Sequence, residues 1–324
     1  MNEDQSSYAS KVVVVTGASG GIGRATAREF GRHGWRVALL ARGIAGLQAA
    51  KREVELAGGT ALILTVDIAD KSAIDEAAAQ IVSMWGKIDV WVNNAMATVF
   101  GPVEVIPSED FKRVTDVTYL GSVWGTLAAL THMRPRNTGV IVQVGSALAY
   151  RSIPLQAAYC GAKSALRGFT DSLRSELLHD RCGVKLTSVH LSAFNTPQFD
   201  IARSFMPRRS QPMGTIFQPE IAARAIYRAG CSPRREFWIG WPAIQAIVGN
   251  KFMPGYLDKK MAKEAYEGQL SDEKAHADPV DNLYTAIQRD YGAHGRFDTQ
   301  ARRFSFAAWL SSIRMGFGSK YHKL

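Results

Sequence analysis

The chain has 324 residues, 46% hydrophobic and 21% charged, which is the composition of an ordinary soluble globular protein. Its three cysteines have no paired short spacing, so we expect neither a disulfide framework nor a metal site, and a reducing cytoplasm fits. Basic residues outnumber acidic ones by 39 to 29, but no nucleic-acid reader motif accompanies them, and we expect no nucleic-acid partner. The polar N-terminal residues predict no cleaved signal peptide, and no apolar run is long enough to span a membrane.

The first two hundred residues alternate short apolar strands with segments of helical length. Six runs are rich in β-branched residues: KVVVVT, RVALLAR, TALILTVDI, KIDVWVNNA, GVIVQVGS and VKLTSVHLS. Apolar strands that alternate with amphipathic helices predict a parallel sheet covered on both faces. Since the crossovers are right-handed, we predict an α/β fold, a Rossmann-like doubly wound parallel sheet.

The pattern changes beyond about residue 200. PEIAARAIYRAG predicts one more helix, and after about residue 240 the chain is rich in Trp, Tyr, Gly and Pro with only patchy helical periodicity. We therefore assign residues 1–240 to one cofactor-binding and catalytic domain. Residues 241–324 are assigned to a C-terminal extension.

A glycine-rich motif, TGASGGIG, follows the first strand directly and opens a helix. Gly17, Gly21 and Gly23 permit a tight turn and let a pyrophosphate approach the backbone, where the helix N-terminus supplies N–H donors. Glycines at this spacing also occur in purely structural turns, so the functional interpretation depends on the motifs that follow.

The end of the second strand distinguishes NADP from NAD. Enzymes that bind NAD place an acidic residue there for the ribose 2′-hydroxyl, whereas this chain has Ala41 and Arg42. A guanidinium without a carboxylate suits a 2′-phosphate, so NADP(H) is the predicted cofactor. The alternative is a solvated arginine in a turn.

The strongest pattern is Ser146 followed by Tyr159 and Lys163, in GSALAYRSIPLQAAYCGAK. Tyr159 and Lys163 are spaced i, i+4 and share one helix face, which brings the ammonium near the phenol. A nearby cation favours the phenolate and is expected to bring the pKa of the tyrosine toward neutrality, as general acid/base catalysis requires. Ser146 follows a strand and can donate a hydrogen bond to a substrate oxygen.

Together these motifs resemble the short-chain dehydrogenase/reductase family over roughly residues 11–200. The downstream AFNTPQF, N-x-F-x-P-G-x-x-D and DYGAHGRFD stretches resemble a bacterial branch with a longer C-terminal tail. The resemblance makes Tyr159 the general acid/base, has Lys163 hold the nicotinamide ribose and has Ser146 polarise the carbonyl. It also places Asp67 at the adenine, Asn93 behind the cofactor-side strand and Thr196 near the carboxamide. The complete predicted cofactor set is Gly17, Ser19, Gly21, Ile22, Gly23, Arg42, Asp67, Ile68, Asn94, Ala95, Tyr159, Lys163 and Thr196.

Three positions depart from the family pattern. Met96 replaces a glycine of NNAG, and Leu191–Ser192 replaces a proline–glycine pair. Thr118 stands where the family has an asparagine that holds a water of a proton relay. The threonine hydroxyl can also bind water but has a shorter reach, so we include Thr118 in the catalytic set and leave the relay open.

The resemblance predicts a substrate lid at about residues 193–217, where apolar side chains cluster: Phe194, Phe199, Phe205, Met206 and Phe217. They indicate either an apolar substrate or additional core. The predicted function is hydride transfer between NADP(H) and a carbonyl or secondary alcohol. The alternative is an NADP(H)-binding sensor or scaffold with little turnover, suggested by Thr118 and Met96.

Two expectations concern partners. The resemblance and the apolar SVWGTLAAL run predict a homodimer or homotetramer, paired through the helices that start near Thr118 and Tyr159. In the tail, an apolar stripe with basic neighbours predicts a helix at residues 303–317, which packs on protein or touches a membrane surface. The stripe comprises Phe306, Trp309, Leu310, Ile313 and Phe317.

Overall fold

Seven strands form the central sheet of the structure, a computed structural model that describes residues 11–275 and 280–305. The strands are β1 (Val12–Thr16), β2 (Arg36–Ala41), β3 (Thr60–Thr65), β4 (Val90–Asn93), β5 (Val140–Ser146), β6 (Lys185–Leu191) and β7 (Glu236–Ile239). Their order is β7-β6-β5-β4-β1-β2-β3, and every neighbouring pair is parallel. The order reverses between β1 and β4, which opens a crevice at the carboxyl ends of these strands. The predicted doubly wound fold is confirmed.

Helices cover both faces of the sheet. They are α1 (Gly21–Arg32), α2 (Ile44–Leu56), α3 (Lys71–Trp85), α4 (Ser108–Thr115), α5 (Gly121–Met133), α6 (Ala157–His179) and α7 (Pro219–Cys231), and two further helices, α8 (Trp241–Phe252) and α9 (Pro254–Lys260), follow β7. The helix predicted from PEIAARAIYRAG is α7. A π-helical turn, Asp116–Leu120, joins α4 to α5. Within the described ranges, no helix has the length and apolar character needed to cross a bilayer.

The alternation of β1 explains why its sequence is apolar without interruption. Val12 and Val14 pack into the cluster formed with α3, α5 and α6, whereas Val13 and Val15 pack into the cluster formed with α1, α2 and α7. All four side chains are fully buried. Burying an aliphatic side chain of this size contributes about 1.5–3 kcal/mol, so the two faces together fix the strand at the centre of the sheet.

Small strand pairs tie the segment after β6 to the rest of the chain. Val99–Phe100 pairs with Arg203–Ser204, Ala193–Phe194 with Ile216–Phe217, and Arg208–Ser210 with Leu270–Lys274. The predicted lid at about 193–217 is therefore held between the core and the C-terminal extension. The division into domains at residue 240 stays a prediction.

The predicted tail helix at 303–317 lies mostly outside the described residues. Its first three positions, 303–305, are described and are not helical. The last ordered contact before them is a bridge between Arg302 and Phe217. The stripe from Phe306 to Phe317 therefore stays a prediction.

Candidate active site

The glycine-rich turn joins β1 to α1 at the carboxyl edge of the sheet. Gly17 and Gly21 have φ angles of +67° and +54°, in the left-handed region that favours glycine. A Cβ on Gly23 would lie 2.2 Å from the carbonyl oxygen of Gly17, so the turn closes only with glycine there. The first turn of α1 borders a cleft and brings backbone N–H groups to it, which is the donor arrangement that binds phosphate.

This cleft, with a volume of about 180 Å³, collects the cofactor residues predicted outside the catalytic helix. Its lining includes Gly17, Ser19, Gly21, Ile22, Gly23, Arg42, Asp67, Ile68, Asn94, Ala95 and Thr196. The set combines a helix N-terminus, a guanidinium and small side chains that admit a ligand close to the backbone. The residues present therefore fit a dinucleotide with a phosphorylated ribose.

Arg42 is partly buried and is not the solvated turn arginine of the alternative interpretation. It donates to the carbonyl oxygens of Asn282, Leu283 and Tyr284, the last at 2.9 Å. Burial lowers the pKa of its guanidinium. Sequence analysis did not predict that the C-terminal extension would supply these acceptors.

Asp67 has an ionic partner that sequence reasoning missed. Its carboxylate accepts from the guanidinium of Arg113 at 2.5 Å and from the backbone N–H of Ala69 at 3.0 Å. Arg113 also donates to the carbonyl oxygen of Leu283. No short motif links these residues, because Arg113 lies on α4 and reaches the cleft only in the folded chain.

The ends of β1 and β4 are locked together behind the cleft. The Thr16 hydroxyl accepts from the backbone N–H groups of Asn94 and Ala95 at 2.9 and 3.0 Å. Asn94 returns a bond from its side-chain amide to the Thr16 carbonyl. Asn93 is buried and donates to Thr126 and Gln143, an arrangement suited to the steadying role that the resemblance implies.

Ser146, Tyr159 and Lys163 meet where β5 ends and α6 begins. The Ser146 hydroxyl accepts from the Leu148 backbone N–H at 3.1 Å and hydrogen-bonds to the Tyr159 phenol. The Lys163 ammonium nitrogen lies 5.7 Å from the centre of the Tyr159 ring. It donates to the Val144 carbonyl at 2.7 Å, deep under the helix. The structure thus assembles the three groups as the spacing predicts.

The electrostatics differ from the sequence expectation. Burial raises the pKa of Tyr159 above its usual value of 10, although the bond to Ser146 acts in the opposite direction. Burial also lowers the pKa of Lys163 to about 8, so its ammonium loses its proton only slightly above neutral pH. The expected fall in the pKa of Tyr159 is wrong for this arrangement, because loss of solvent dominates over the nearby cation.

Thr118 lies in the π-helical turn and is fully buried. Its hydroxyl donates to the carbonyl of Ala97 and accepts from the N–H of the same residue, both at 2.9 Å. It does not line either cavity of the site. These bonds fix the loop after β4. Because the Thr118 hydroxyl donates its hydrogen to the Ala97 carbonyl, that hydrogen is not available to a relay water. A catalytic role for Thr118 stays a prediction.

A second cavity of about 740 Å³ adjoins the cleft. Ser146, Tyr159 and Lys163 line it, and it shares Met96 and Thr196 with the cleft. Met96, one of the family departures, thus stands between the two spaces. Apolar side chains from the predicted lid, from α9 and from the turn that follows α9 complete the walls, among them Phe194, Phe199, Met213, Leu257 and Met261.

The apolar cluster of the predicted lid divides between the two interpretations offered for it. All four of Phe194, Phe199, Met206 and Phe217 are buried in core clusters, and Phe194 and Phe199 also line the second cavity. Phe205 is exposed. Cavity lining and core packing both occur within this short segment.

Sequence reasoning also missed how the extension is held at the second cavity. Arg151, five residues after Ser146, donates to Asn250 at 3.2 Å and to Asp258 at 2.7 Å. Asn250 donates in turn to the Tyr150 carbonyl at 2.7 Å. Both partners of Arg151 belong to the N-x-F-x-P-G-x-x-D stretch. Residues of that motif therefore attach α8 and α9 to the turn that follows Ser146.

Comparison with known proteins is consistent with this geometry. The family model for short chain dehydrogenases matches residues 11–205. The uncharacterised oxidoreductase YxnA of Bacillus subtilis is 32% identical over 278 residues, which cover 85% of this chain and 78% of that protein. Dehydrogenase/reductase SDR family member 7C of Rattus norvegicus is 33% identical over 178 residues, covering 53% of this chain and 57% of that protein.

A solved structure shows the same architecture. The crystal structure of a metagenomic short-chain oxidoreductase in complex with NADP aligns with a TM-score of 0.60 at 27% identity, covering 71% of this chain and 96% of that one. The family match spans the glycine turn, the β4 end and the Ser146, Tyr159, Lys163 group. This chain belongs to the short-chain dehydrogenase/reductase family of oxidoreductases.

Proposed function

We propose that the chain is an NADP(H)-dependent oxidoreductase that interconverts a carbonyl and a secondary alcohol on an apolar substrate. One observation carries the proposal: Ser146, Tyr159 and Lys163 all line a large cavity that adjoins the glycine-turn cleft. A hydride donor bound in the cleft and a carbonyl bound in the cavity would therefore meet at the residues the two spaces share.

Bound NADPH supplies the hydride, and the chain's own residues supply orientation and the proton. Tyr159, kept neutral by burial, is a phenol able to donate its proton to the carbonyl oxygen. Ser146 offers its hydroxyl hydrogen to the same oxygen, since the Leu148 N–H already holds its acceptor side. Lys163, with a pKa of about 8, can return a proton to the site near neutral pH.

Two features support NADP over NAD. Arg42 stands where NAD-dependent enzymes have a carboxylate, and it lines the cleft. The metagenomic oxidoreductase structure is a complex with NADP, and we extend this cofactor to the present chain as part of the proposal. An apolar substrate is supported by the walls of the larger cavity, where aromatic and aliphatic side chains surround the catalytic hydroxyls.

The rival function is an NADP(H)-binding sensor with little turnover. It draws on Thr118, whose hydroxyl is engaged by Ala97, and on Tyr159, whose pKa is raised instead of lowered. The direct test is a single-turnover experiment. NADPH is bound to the protein, then mixed with ketones of increasing alkyl length, and nicotinamide absorbance is followed.

We expect oxidation of NADPH that quickens with alkyl length, lost in Tyr159→Phe and kept in the control Tyr256→Phe, whose side chain is exposed on α9. NADPH binding without oxidation by any ketone would favour the sensor. No NADPH binding at all would overturn both functions.

We further propose a cytoplasmic homo-oligomer. Most apolar residues of SVWGTLAAL are buried within the chain, with Leu127 the exposed one at 39%. The pairing surface on α5 and α6 therefore rests on the family resemblance more than on surplus apolar area. Light scattering at micromolar concentration should give the mass of two or four chains, and a single-chain mass would refute it.

A further inference from the structure

Residues 281–292 of the C-terminal extension, called the strap below, cross the outer side of the glycine-turn cleft. At one end Asp281 pairs with Arg203 at 2.8 Å. At the other end Asp290 pairs with the buried Arg24 of α1. Between them the side chain of Leu283 is completely buried in the core. Both ends and the middle of the strap are thus attached to the catalytic domain.

The strap binds the groups that sequence reasoning assigns to the phosphates. Its backbone carbonyls surround the guanidinium of Arg42. The Tyr291 hydroxyl hydrogen-bonds to the Ser19 hydroxyl at 2.8 Å, and the Gly21 N–H donates to the Gly292 carbonyl at 3.1 Å. Strap oxygens therefore lie at the adenosine-phosphate end of the cleft and share its donors.

Gly20 lies directly against the strap. Its φ of −163° is extended backbone that any residue adopts, so the turn itself does not require glycine here. A Cβ at this position would lie 2.1 Å from a ring carbon of Tyr291 and 3.1 Å from the Gly292 carbonyl oxygen. Gly20 is therefore needed because the Tyr291 ring rests against the turn.

The strap also forms a wall of the cleft. Asn282, Ala286, Ile287 and Tyr291 line it together with the glycine turn. A dinucleotide in the cleft would lie between the strap and the core. Its departure on the strap side requires the contacts with Ser19, Arg24 and Arg42 to open.

We propose that the strap is the gate of the adenosine-phosphate end of the cofactor site, with Tyr291 positioning it through Ser19 and Gly20. This inference rests on the proposed NADP(H) function. Opening the strap must then speed cofactor release without any change at Ser146, Tyr159 or Lys163. The gate belongs to the C-terminal extension and acts at the end of the cleft away from the catalytic helix.

The test is a mutant cycle in the full chain with Gly20→Ala, Tyr291→Ala and the double variant. Tyr256→Ala is the matched control, an exposed tyrosine in the same extension that does not line the cleft. One arm uses no cofactor and measures hydrogen exchange of the strap amides together with the thermal midpoint. The other arm measures release of bound NADPH, chased with excess NADP+, and repeats the binding with 2′,5′-ADP.

We expect Gly20→Ala to raise strap exchange and to speed NADPH release at least tenfold, with the thermal midpoint kept. In the Tyr291→Ala background the added Cβ has no ring to displace, so Gly20→Ala should then change the release rate less than twofold. The same pattern should appear with 2′,5′-ADP, because the strap contacts the adenosine-phosphate end. Tyr256→Ala should behave as the unmodified protein.

An equal effect of Gly20→Ala in both backgrounds would overturn the gate, since the Cβ would then act on the glycine turn directly. Tighter NADPH binding in the single variants would also overturn it, because the strap would then be a competitor of the cofactor. Equal release rates in all variants would refute the gate while leaving the proposed function intact. Absence of NADPH binding in every variant would instead refute the proposed function.

Discussion

Lys163 allows a test of the site that does not depend on knowing the substrate. The residue is 3% exposed, and its ammonium donates to the Val144 carbonyl. Burial lowers its pKa from 10.5 to about 8, which means that the folded protein holds the charged form at a free-energy cost. Converted at the usual constant, that cost is about 3 kcal/mol at pH 7.

The sign follows from proton binding in the two states. Between pH 8 and 10.5 the unfolded chain binds the lysine proton more tightly than the folded chain, so this contribution to stability rises with pH. Below pH 8 both states are charged and the full cost is present. From pH 7 to pH 9.5 the contribution of Lys163 should therefore improve by about 2 kcal/mol.

The measurement compares urea unfolding of cofactor-free protein at pH 7 and pH 9.5 for the unmodified chain and for Lys163→Met. Subtracting the two removes the titration of all other groups. The unmodified chain should gain about 2 kcal/mol over Lys163→Met across this range. Lys251→Met, a lysine exposed on α8, serves as control and should show no such difference. Equal pH dependence in the unmodified chain and in Lys163→Met would refute the argument that the ammonium is held against its desolvation.

The remaining predictions concern the cofactor, the π-helical turn and the tail. Arg42→Ala should weaken NADPH binding by about 1.5–3 kcal/mol more than NADH binding, because the strap contacts are lost for both cofactors and only the phosphate contact differs. Equal losses in calorimetric titrations would contradict it. Thr118→Val should lower stability by about 1–3 kcal/mol in urea unfolding, since the Ala97 N–H and carbonyl lose their buried partner, and an unchanged midpoint would contradict that. Deleting residues 306–324 should abolish pelleting with anionic liposomes if the predicted stripe touches membranes, and pelleting that survives the deletion would exclude it.

The elements that the sequence predicted best are those with local causes. The apolar runs of β1 to β6 predict buried strands, and the structure agrees because both sheet faces are covered. Gly17 and Gly21 predict a tight turn, and both have the positive φ angles that favour glycine. Tyr159 and Lys163 needed only helical spacing to be placed together. In each case the determining interaction lies within a few residues along the chain.

What the sequence could not predict depends on distant partners. β7 was missed because Glu236–Ile239 is four residues long and contains a charged side chain, too short for an apolar run to stand out. The direction of the Tyr159 pKa was missed because burial depends on walls contributed by the predicted lid and the extension. Spacing on one helix gives the distance to the cation but not the loss of solvent.

The strap shows why the contacts of the C-terminal extension were the hardest to predict from the sequence. Its hold on Arg42 is made by backbone carbonyls, which any sequence possesses, across more than two hundred residues. Within the strap, the sequence analysis noted only the start of DYGAHGRFD. The first three residues of this motif have partners in the structure: Arg24 for Asp290, Ser19 for Tyr291 and the Gly21 N–H for Gly292.

The extension closes both spaces of the site, and it does so through separate attachments. The strap walls the cleft through α1 and Arg42, whereas α8 and α9 wall the larger cavity through Arg151. Among the described residues, different side chains carry the two sets of contacts: Ser19, Arg24 and Arg42 for the strap, and Arg151 for α8 and α9. Under the proposed function each reduction uses one hydride, so NADP+ must leave past the strap and be replaced by NADPH once per turnover, whereas substrate and product would pass the wall formed by α8 and α9.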